Sequence, residues 1–258
     1  MIMSKFKKII VIISVFTIAL CSVLAPIAAR AESRFGDWEY FYSFNKSILQ
    51  RHAHSRVLLR VPIFRQAQTY TSGVACVQSL LRYAKYEFDI REDNLANALG
   101  ADEEYGVRAE EMVEYLNSVR FNDEETQYFN AEFRQGMTLE DLKKELDKGN
   151  PVMCDIQAWN WDENEEYSMD LDYSNEWECG HWVVAVGYNR DNIFFMDPST
   201  SANYTYIPND KLESRWHDYE IDEGGNRSDY MHAGIVVELC SGQQPDGERY
   251  YDAFYGLM

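Results

Sequence analysis

The chain has 258 residues and a formal net charge of −19 at pH 7, with 24 Lys and Arg residues against 43 Asp and Glu residues. This acidity excludes nucleic acid and anionic lipid as favoured partners, because a negative surface repels both. It favours neutral or cationic substrates, although charge carries no information about the fold. The length fits one domain of ordinary to large size with an ample core.

The N-terminal segment indicates export. Three lysines precede an apolar run over residues 9–25, and Ala29 and Ala31 then stand at the two positions that a signal peptidase reads. This pattern predicts a secretory signal peptide over residues 1–31, cleaved after Ala31, and a secreted chain that makes no membrane contact afterwards. The alternative is an uncleaved membrane anchor, because the apolar run is near the lower limit of about 17–25 residues for spanning a bilayer.

Four cysteines remain after the predicted cleavage: Cys76, Cys154, Cys179 and Cys240. In an oxidising compartment they could form two disulfides, with three connectivities between which the sequence does not choose. The alternative for Cys76 and Cys154 is a free buried thiol, since both lie in apolar segments. No C-x-x-C pair or His/Cys cluster is present, so we expect neither a metal nor another cofactor.

The first half of the chain predicts helices. Residues 32–60 are aromatic and charged without periodicity, which indicates an N-terminal arm that packs on the domain. Residues 73–86 carry a wide apolar stripe, typical of a central buried helix. Two further helices are predicted over Ala109–Ser118 and Leu139–Lys148, the second with Thr138 as N-cap and Gly149 as its C-terminal stop.

The second half predicts strands. Short apolar segments separated by turn residues indicate five of them, over residues 152–158, 182–188, 193–196, 204–207 and 234–239. Helices followed by a sheet describe an α+β domain of two packed lobes. Residues 241–258 are interpreted as a C-terminal tail.

Four short motifs carry a resemblance to a known family. They occur in the order Pro62 with Gln66, Ser72-Gly73, Gly180-His181 and Asp197-Pro198. In this order they resemble the stand-alone, secreted members of the C39-like peptidase family, over about residues 61–240. The resemblance implies a papain-like fold, with an N-terminal helical part whose buried nucleophile helix packs on a C-terminal antiparallel sheet. The sequence has no G-x-x-x-x-G-K-[ST] loop, so the leader-peptide substrate of the transporter relatives is not carried over.

The resemblance implies a role for each matching residue. Ser72 takes the position of the nucleophile, His181 that of the base, Asp197 that of the acid that orients the histidine, and Gln66 that of the oxyanion donor. A thiol or hydroxyl at the first turn of a buried helix is favoured as an anion by the helix dipole. A histidine accepts its proton, and a carboxylate behind the histidine fixes its orientation. The implied chemistry is peptide-bond hydrolysis through a covalent intermediate.

Ser72 departs from the family, which uses cysteine at this position. A serine hydroxyl is far harder to ionise near neutral pH, so activity is expected to be impaired. Three interpretations stay open: a natural homologue that has lost catalysis, a peptidase whose cysteine was replaced, and a working serine hydrolase. From other classes, the alternatives are a non-catalytic peptide- or cell-wall-binding module and an amide transferase with the same residue order.

Other titratable residues are given structural roles. Cys76 lies one turn further along the helix from Ser72, on its apolar flank, and is not expected to replace it as nucleophile. The histidines His52, His54, His217 and His232 lack the glycine–histidine–strand context of His181 and are interpreted as structural.

The acidic segment 162–178 lacks the glycine and terminal glutamate of an EF-hand loop, so a solvated loop is favoured over a calcium site. If it borders the cleft, it favours a peptide or protein substrate that contains Lys or Arg.

Overall fold

The computed structural model of the protein describes residues 57–84, 91–121, 125–159, 172–200, 204–222 and 224–240. The predicted signal peptide, the predicted C-terminal tail and residues 32–56 of the predicted arm lie outside these residues. Within them, every helix is too short or too polar to cross a bilayer.

The described residues contain nine strands. They are β1 (Val57–Leu58), β2 (Phe129–Arg134), β3 (Val152–Gln157), β4 (Gly180–Tyr188), β5 (Asn192–Met196), β6 (Thr205–Pro208), β7 (His217–Ile221), β8 (Arg227–Met231) and β9 (Gly234–Leu239).

Seven strands form one sheet, and all of its described pairs are antiparallel. Its order is β2-β9-β3-β4-β5-β6, with β1 paired to the end of β4 through Val57 and Tyr188. The end of the predicted N-terminal arm is therefore part of this sheet. Strands β7 and β8 form a separate hairpin. Every residue of β3 and β5 is buried, which is the pattern of strands that are covered on both faces.

The described part of the chain also contains five helices. They are α1 (Ser72–Tyr83), α2 (Glu92–Ala98), α3 (Ala109–Ser118), α4 (Leu139–Lys148) and α5 (Asn209–Arg215).

The two faces of the sheet bury separate apolar clusters because side chains alternate along each strand. Val184 and Phe194 lie with α1, α2 and α3 in one cluster. Val183 and Phe195 lie with α4 and α5 in the other. The α+β fold class is as the sequence predicts, and the helices lie on both faces of the sheet rather than on one.

Helix α4 shows why some elements were predictable. The Thr138 side chain accepts a hydrogen bond from the Asp141 backbone N–H at 3.1 Å, and the Asp141 carboxylate accepts one from the Thr138 backbone N–H. Gly149 ends the helix with a φ of 94°, which is the left-handed region that favours glycine. Local side-chain chemistry thus fixes both ends of this helix.

Several elements were not predicted. Helices α2 and α5 and strands β2, β7 and β8 have no counterpart in the sequence-based assignment. Helix α1 begins at Ser72, and β4 begins at Gly180, two residues before its predicted start. Cys76, Cys154 and Cys240 are free thiols within the described part of the chain, so the structure favours the alternative of buried thiols for the first two.

Candidate active site

Ser72 is the first residue of α1, at the positive end of the helix dipole. Its hydroxyl oxygen accepts a hydrogen bond from the backbone N–H of Trp182 at 3.3 Å, so the helix N-terminus contacts the start of β4. Gly73 permits this approach: a Cβ at this position would lie 3.0 Å from the Met112 sulfur and 3.4 Å from the Trp182 ring. Packing therefore favours the Ser72-Gly73 pair at this position, in addition to the catalytic role that the resemblance implies.

His181 directly precedes Trp182 on β4 and is paired with Asp197, which follows β5. The His181 Nε2 and Asp197 Oδ1 atoms are 2.9 Å apart. The imidazole is only 2 % exposed, and the Trp159 ring lies against it with a centroid separation of 4.8 Å. Because Nε2 faces the carboxylate, Nδ1 is the nitrogen left for proton exchange with a reacting group.

Asp197 is held as a carboxylate. Burial opposes its ionisation, but the hydrogen bond and charge of His181 and the donors of Ser199 outweigh burial and lower the pKa of Asp197. The Ser199 backbone N–H and hydroxyl donate to the same Oδ1 at 2.9 and 2.7 Å. An ionised Asp197 is suited to orienting the imidazole and to stabilising its protonated form.

Gln66 lies beside Asp197, but its side-chain amide already donates hydrogen bonds within its own loop and so differs from an open oxyanion donor. Its backbone N–H donates to the Pro198 carbonyl at 3.0 Å, which places it next to Asp197. Its side-chain Nε2 donates to the carbonyls of Gln68 and Thr69 at 2.7 and 3.0 Å. Both amide hydrogens therefore have acceptors within the loop. The oxyanion role of Gln66 stays a prediction, and it requires one of these bonds to be shared or broken.

Glu92, at the start of α2, fixes the loop between Gln66 and Ser72. Its Oε1 accepts hydrogen bonds from the Ala67 backbone N–H at 2.8 Å and from the Thr71 hydroxyl at 2.5 Å. Glu92 could not be selected from sequence patterns, because the helix that carries it was not predicted. One carboxylate thus holds both ends of the loop that precedes the nucleophile position.

Cys76 is unsuited to replace Ser72 as a nucleophile. It is fully buried, and its thiol donates to the Trp182 carbonyl at 3.3 Å. Burial, with the charge of Asp197 adding to it, raises the pKa of the Cys76 thiol well above its usual value. A thiol of this kind does not supply a thiolate near neutral pH.

The other described histidines lie in structural contacts. His217 Nε2 is 2.7 Å from the Glu176 carbonyl, and its ring lies against Trp177. His232 Nδ1 is 3.1 Å from the Met137 carbonyl, and its ring stacks on Trp216. His52 and His54 lie outside the described residues.

Most of the acidic segment 162–178 also lies outside the described residues. In the described part, Asp172 accepts hydrogen bonds from Ser174, and Glu176 accepts them from the backbone of Trp177 and Glu178. Among the described residues no cluster of acidic, histidine or cysteine side chains is arranged to hold a metal ion.

A buried pair of carboxyl groups, Asp155 on β3 and Asp218 on β7, was not predicted from the sequence. Burial, followed by the neighbouring charge of Asp218, raises the pKa of Asp155 well above its usual value. Burial also raises the pKa of Asp218 to about 6. One signal was available, since Asp155 is an acid inside an otherwise apolar strand. Its partner, 63 residues later, could not be read from the sequence.

The chain is similar to one known protein family. The sequence model of the Peptidase_C39 like family matches residues 58–221. No curated protein sequence matches the chain at a significant level.

Three solved structures show similarity to this chain. A C39-like peptidase from Bacillus anthracis has 20 % identity, covers 70 % of this chain and 96 % of its own, and gives a TM-score of 0.47. The peptidase domain of Streptococcus ComA, a bifunctional ABC transporter, has 14 % identity, 70 % and 99 % coverage, and a TM-score of 0.46. A double glycine motif protease from an AMS/PCAT transporter, solved with a leader peptide, has 14 % identity, 71 % and 95 % coverage, and a TM-score of 0.45.

Proposed function

Because the chain belongs to the Peptidase_C39 like family, we propose that it binds a peptide across the N-terminus of α1 and that Ser72 lowers its capacity to hydrolyse that peptide. The single observation that carries this proposal is that the start of β4 contacts both the N-terminus of α1 and the residue that follows β5. The Ser72 oxygen contacts the backbone of Trp182, and His181, the preceding residue, is paired with Asp197.

The proposed reaction is acyl transfer from a peptide bond to water. The side chain at position 72 attacks the carbonyl carbon, and His181 Nδ1 takes its proton and returns it to the departing amine. Water then attacks the ester or thioester and releases the acid. Asp197 holds the ring through Nε2 and balances the positive charge of the imidazolium.

Serine weakens the first step. A thiol beside an imidazole can exist as a thiolate before the peptide arrives, whereas a hydroxyl must lose its proton during the attack. The helix dipole and the Trp182 N–H both favour an anion at position 72, but they act on a group whose proton is much harder to remove. The site therefore keeps a peptide-binding arrangement and the proton-transfer pair, with a poor nucleophile.

The Ser72→Cys protein is expected to hydrolyse peptides at least about 10³-fold faster than the parent, since a thiol ionises far more readily than the hydroxyl it replaces. The measurement is kcat/KM on a broad peptide library. The Ser72→Ala protein is the matched control and should not exceed the parent.

Alkylation by iodoacetamide at pH 6 gives a second readout of the same variant. In the parent, Cys76 and Cys154 are fully buried and Cys179 is 3 % exposed, while burial raises the pKa of the half-buried Cys240 thiol, so rapid labelling at pH 6 should depend on the new thiol. A Ser72→Cys protein that neither cleaves the library nor labels faster than the parent would contradict the assignment. Incorporation of amines into glutamine side chains would instead favour an amide transferase.

Export is part of the proposal and is supported by the three lysines, the apolar run and the Ala29–Ala31 pattern of the sequence. The protein recovered from the medium of expressing cells is expected to begin at Glu32, as N-terminal sequencing would show. An intact N-terminus retained in the membrane fraction would identify an anchor instead.

We also propose that the bound peptide is basic. This proposal is supported by the net charge of −19 at pH 7.

A further inference from the structure

A cavity of about 260 Å³ lies beside Ser72. Its walls come from the loop before α1, the loop before α3, the start of β4 and strand β7. Small-molecule sites are usually about 300–1,000 Å³, so this volume suits one side chain or one terminal group rather than a large ligand. A peptide whose carbonyl carbon approaches Ser72 therefore has a neighbouring group within reach of the cavity.

The lining of the cavity is strongly acidic. Its acidic residues are Glu103, Glu104, Asp155, Glu178, Asp218 and Glu220.

Arg108 is the single cationic residue of the lining. It also acts on Asp222, whose pKa it helps to lower, after larger contributions from Asn226 and Gly224. Glu220 is already engaged, since it accepts hydrogen bonds from the Ala109 backbone N–H at 2.6 Å and from the Tyr230 hydroxyl at 2.8 Å. The remaining carboxyl groups still outnumber the guanidinium.

Asp155 supplies an independent observation that points to a ligand. It is 3 % exposed and lines the cavity, and its Oδ1 atom has no hydrogen-bond partner among the described residues. A buried carboxyl oxygen without a donor is unfavourable, because it has lost water without gaining a replacement. An N–H group that enters the cavity would supply that donor.

Asp218 is held in place beside Asp155 and the start of β4. Gln157 Nε2 donates to Asp218 Oδ1 and to the His217 carbonyl, both at 3.1 Å. Gly180 leaves the room that this carboxyl group occupies, because a Cβ at that position would overlap Asp218 Oδ2. Glycine at position 180 therefore allows the Asp218 carboxyl group to lie against the start of β4, directly before the proposed catalytic His181.

We propose that this cavity binds a cationic nitrogen group of the peptide, adjacent to the bond that faces Ser72, with Asp218 as its counter-ion and Asp155 Oδ1 as an acceptor for one of its N–H groups. The group is either the side chain of Arg or Lys or the N-terminal ammonium of the peptide, and both have the same chemistry. This inference rests on the proposed function and specifies its substrate.

The protonation of Asp155 and Asp218 sets the pH range over which the cavity is expected to prefer a cation. Burial raises the pKa of Asp155 well above its usual value and that of Asp218 to about 6, so Asp218 is ionised above about pH 6. The other titratable groups that line the same cavity are Tyr70, Glu103, Glu104, Tyr105, Arg108, Glu178, Tyr219 and Glu220. Cys76, Cys154 and Tyr230 also interact electrostatically with Asp155. Below about pH 6 the Asp218 carboxylate gains a proton, and the preference for a cation should decline.

The test uses the parent protein, because binding needs no hydrolysis. The probes are an acetylated and amidated pentapeptide of alanine with a central arginine and its twin with citrulline, which has the same shape and no charge. A third probe is the all-alanine pentapeptide, with its N-terminus either free or acetylated. Calorimetric titration at pH 7.5 should show the charged member of at least one pair binding about tenfold tighter than its neutral twin. Which pair responds identifies the source of the cation.

Substitutions distinguish the effect of a lost charge on binding from the effect of a disturbed structure. Asp218→Asn should abolish the preference, since it removes the proposed counter-ion. Asp155→Asn should keep it, because Asp218 remains ionised and the asparagine oxygen can replace Oδ1. Glu140→Gln, at an exposed position on α4, is the matched control and should change nothing. The unmodified protein titrated at pH 5 gives the same comparison without any substitution, and there the preference should be lost.

Equal affinities within both pairs at pH 7.5, or a preference that survives Asp218→Asn, would overturn the inference. These outcomes differ from a failure of the proposed function. An inert Ser72→Cys protein that still prefers the cationic probe would leave the cavity assignment intact, and an active one without the preference would refute only the cavity assignment.

Discussion

In the Ser72→Cys protein, His181→Ala is expected to reduce kcat/KM for peptide hydrolysis by about 10²–10⁴-fold, the range typical of a lost general acid–base. The physical reason is that His181 is the proposed base, and its buried ring is fixed by Asp197, whose Oδ1 lies 2.9 Å from Nε2. Without it the thiol loses both its proton acceptor and the positive charge that stabilises the thiolate. Steady-state kinetics on the same peptide measures the effect.

The ionisation of the new thiol gives a second readout that needs no substrate. With His181 present, the pH dependence of alkylation should report a thiol pKa below the usual value of about 8.5, and His181→Ala should return it towards that value. His232→Ala is the matched control, because that ring stacks on Trp216, which belongs to the apolar cluster with α4 and α5 rather than to the one with α1. Equal loss of activity in both variants would point to a general structural effect and contradict the role of His181.

Phe194→Ala is expected to lower the free energy of unfolding by about 3–5 kcal/mol, as is typical when a buried aromatic side chain is truncated. Phe194 is fully buried on β5 and belongs to the cluster between the sheet and α1. Its removal leaves a cavity in the layer that positions both Ser72 and the strand leading to Asp197. Urea denaturation with a two-state fit measures the change.

The control for this substitution is Met231→Ala, since Met231 is 50 % exposed. It should change the free energy of unfolding by no more than about 0.5 kcal/mol. A loss below about 1 kcal/mol for Phe194→Ala would mean that the two faces of the sheet are not packed as described.

The predictable parts of the fold are those with local signals. Helix α4 has a capping residue, a periodic apolar face and a terminal glycine within a dozen positions, so its bounds Leu139–Lys148 follow from the sequence alone. Strand β3 is a short apolar run after Pro151, and its first residue is as predicted. Such signals require no knowledge of distant residues.

Strand β2 was missed although its pattern is present. Phe129, Ala131 and Phe133 alternate with polar residues, and two of them are buried. The segment is short and charged, so the alternation was not separated from a loop. Strands β7 and β8 are polar and only partly covered, and nothing in their composition indicates that they pair.

Some residues of the candidate site could likewise be predicted from the sequence, and others could not. The motifs select Ser72, His181, Asp197 and Gln66. The structure places the Ser72 oxygen against the backbone of Trp182, pairs His181 with Asp197 and places Gln66 beside Pro198. The contact between Asp155 and Asp218 depends on how β3, β4 and β7 are arranged in space. Sequence spacing carries no information about that arrangement, so the acidic cavity becomes visible only in the folded chain.

The outermost strands of the main sheet, β2 and β6, bear on how the protein behaves at high concentration. An unprotected outer strand can recruit a second chain by main-chain pairing and so start aggregation. Here β2 carries the ion pair of Glu132 and Arg134, at 2.6 Å, and β6 is four residues long and ends at Pro208, which has no N–H to donate. Both borders discourage the addition of a further strand, a useful property for a protein proposed to work outside the cell without chaperones.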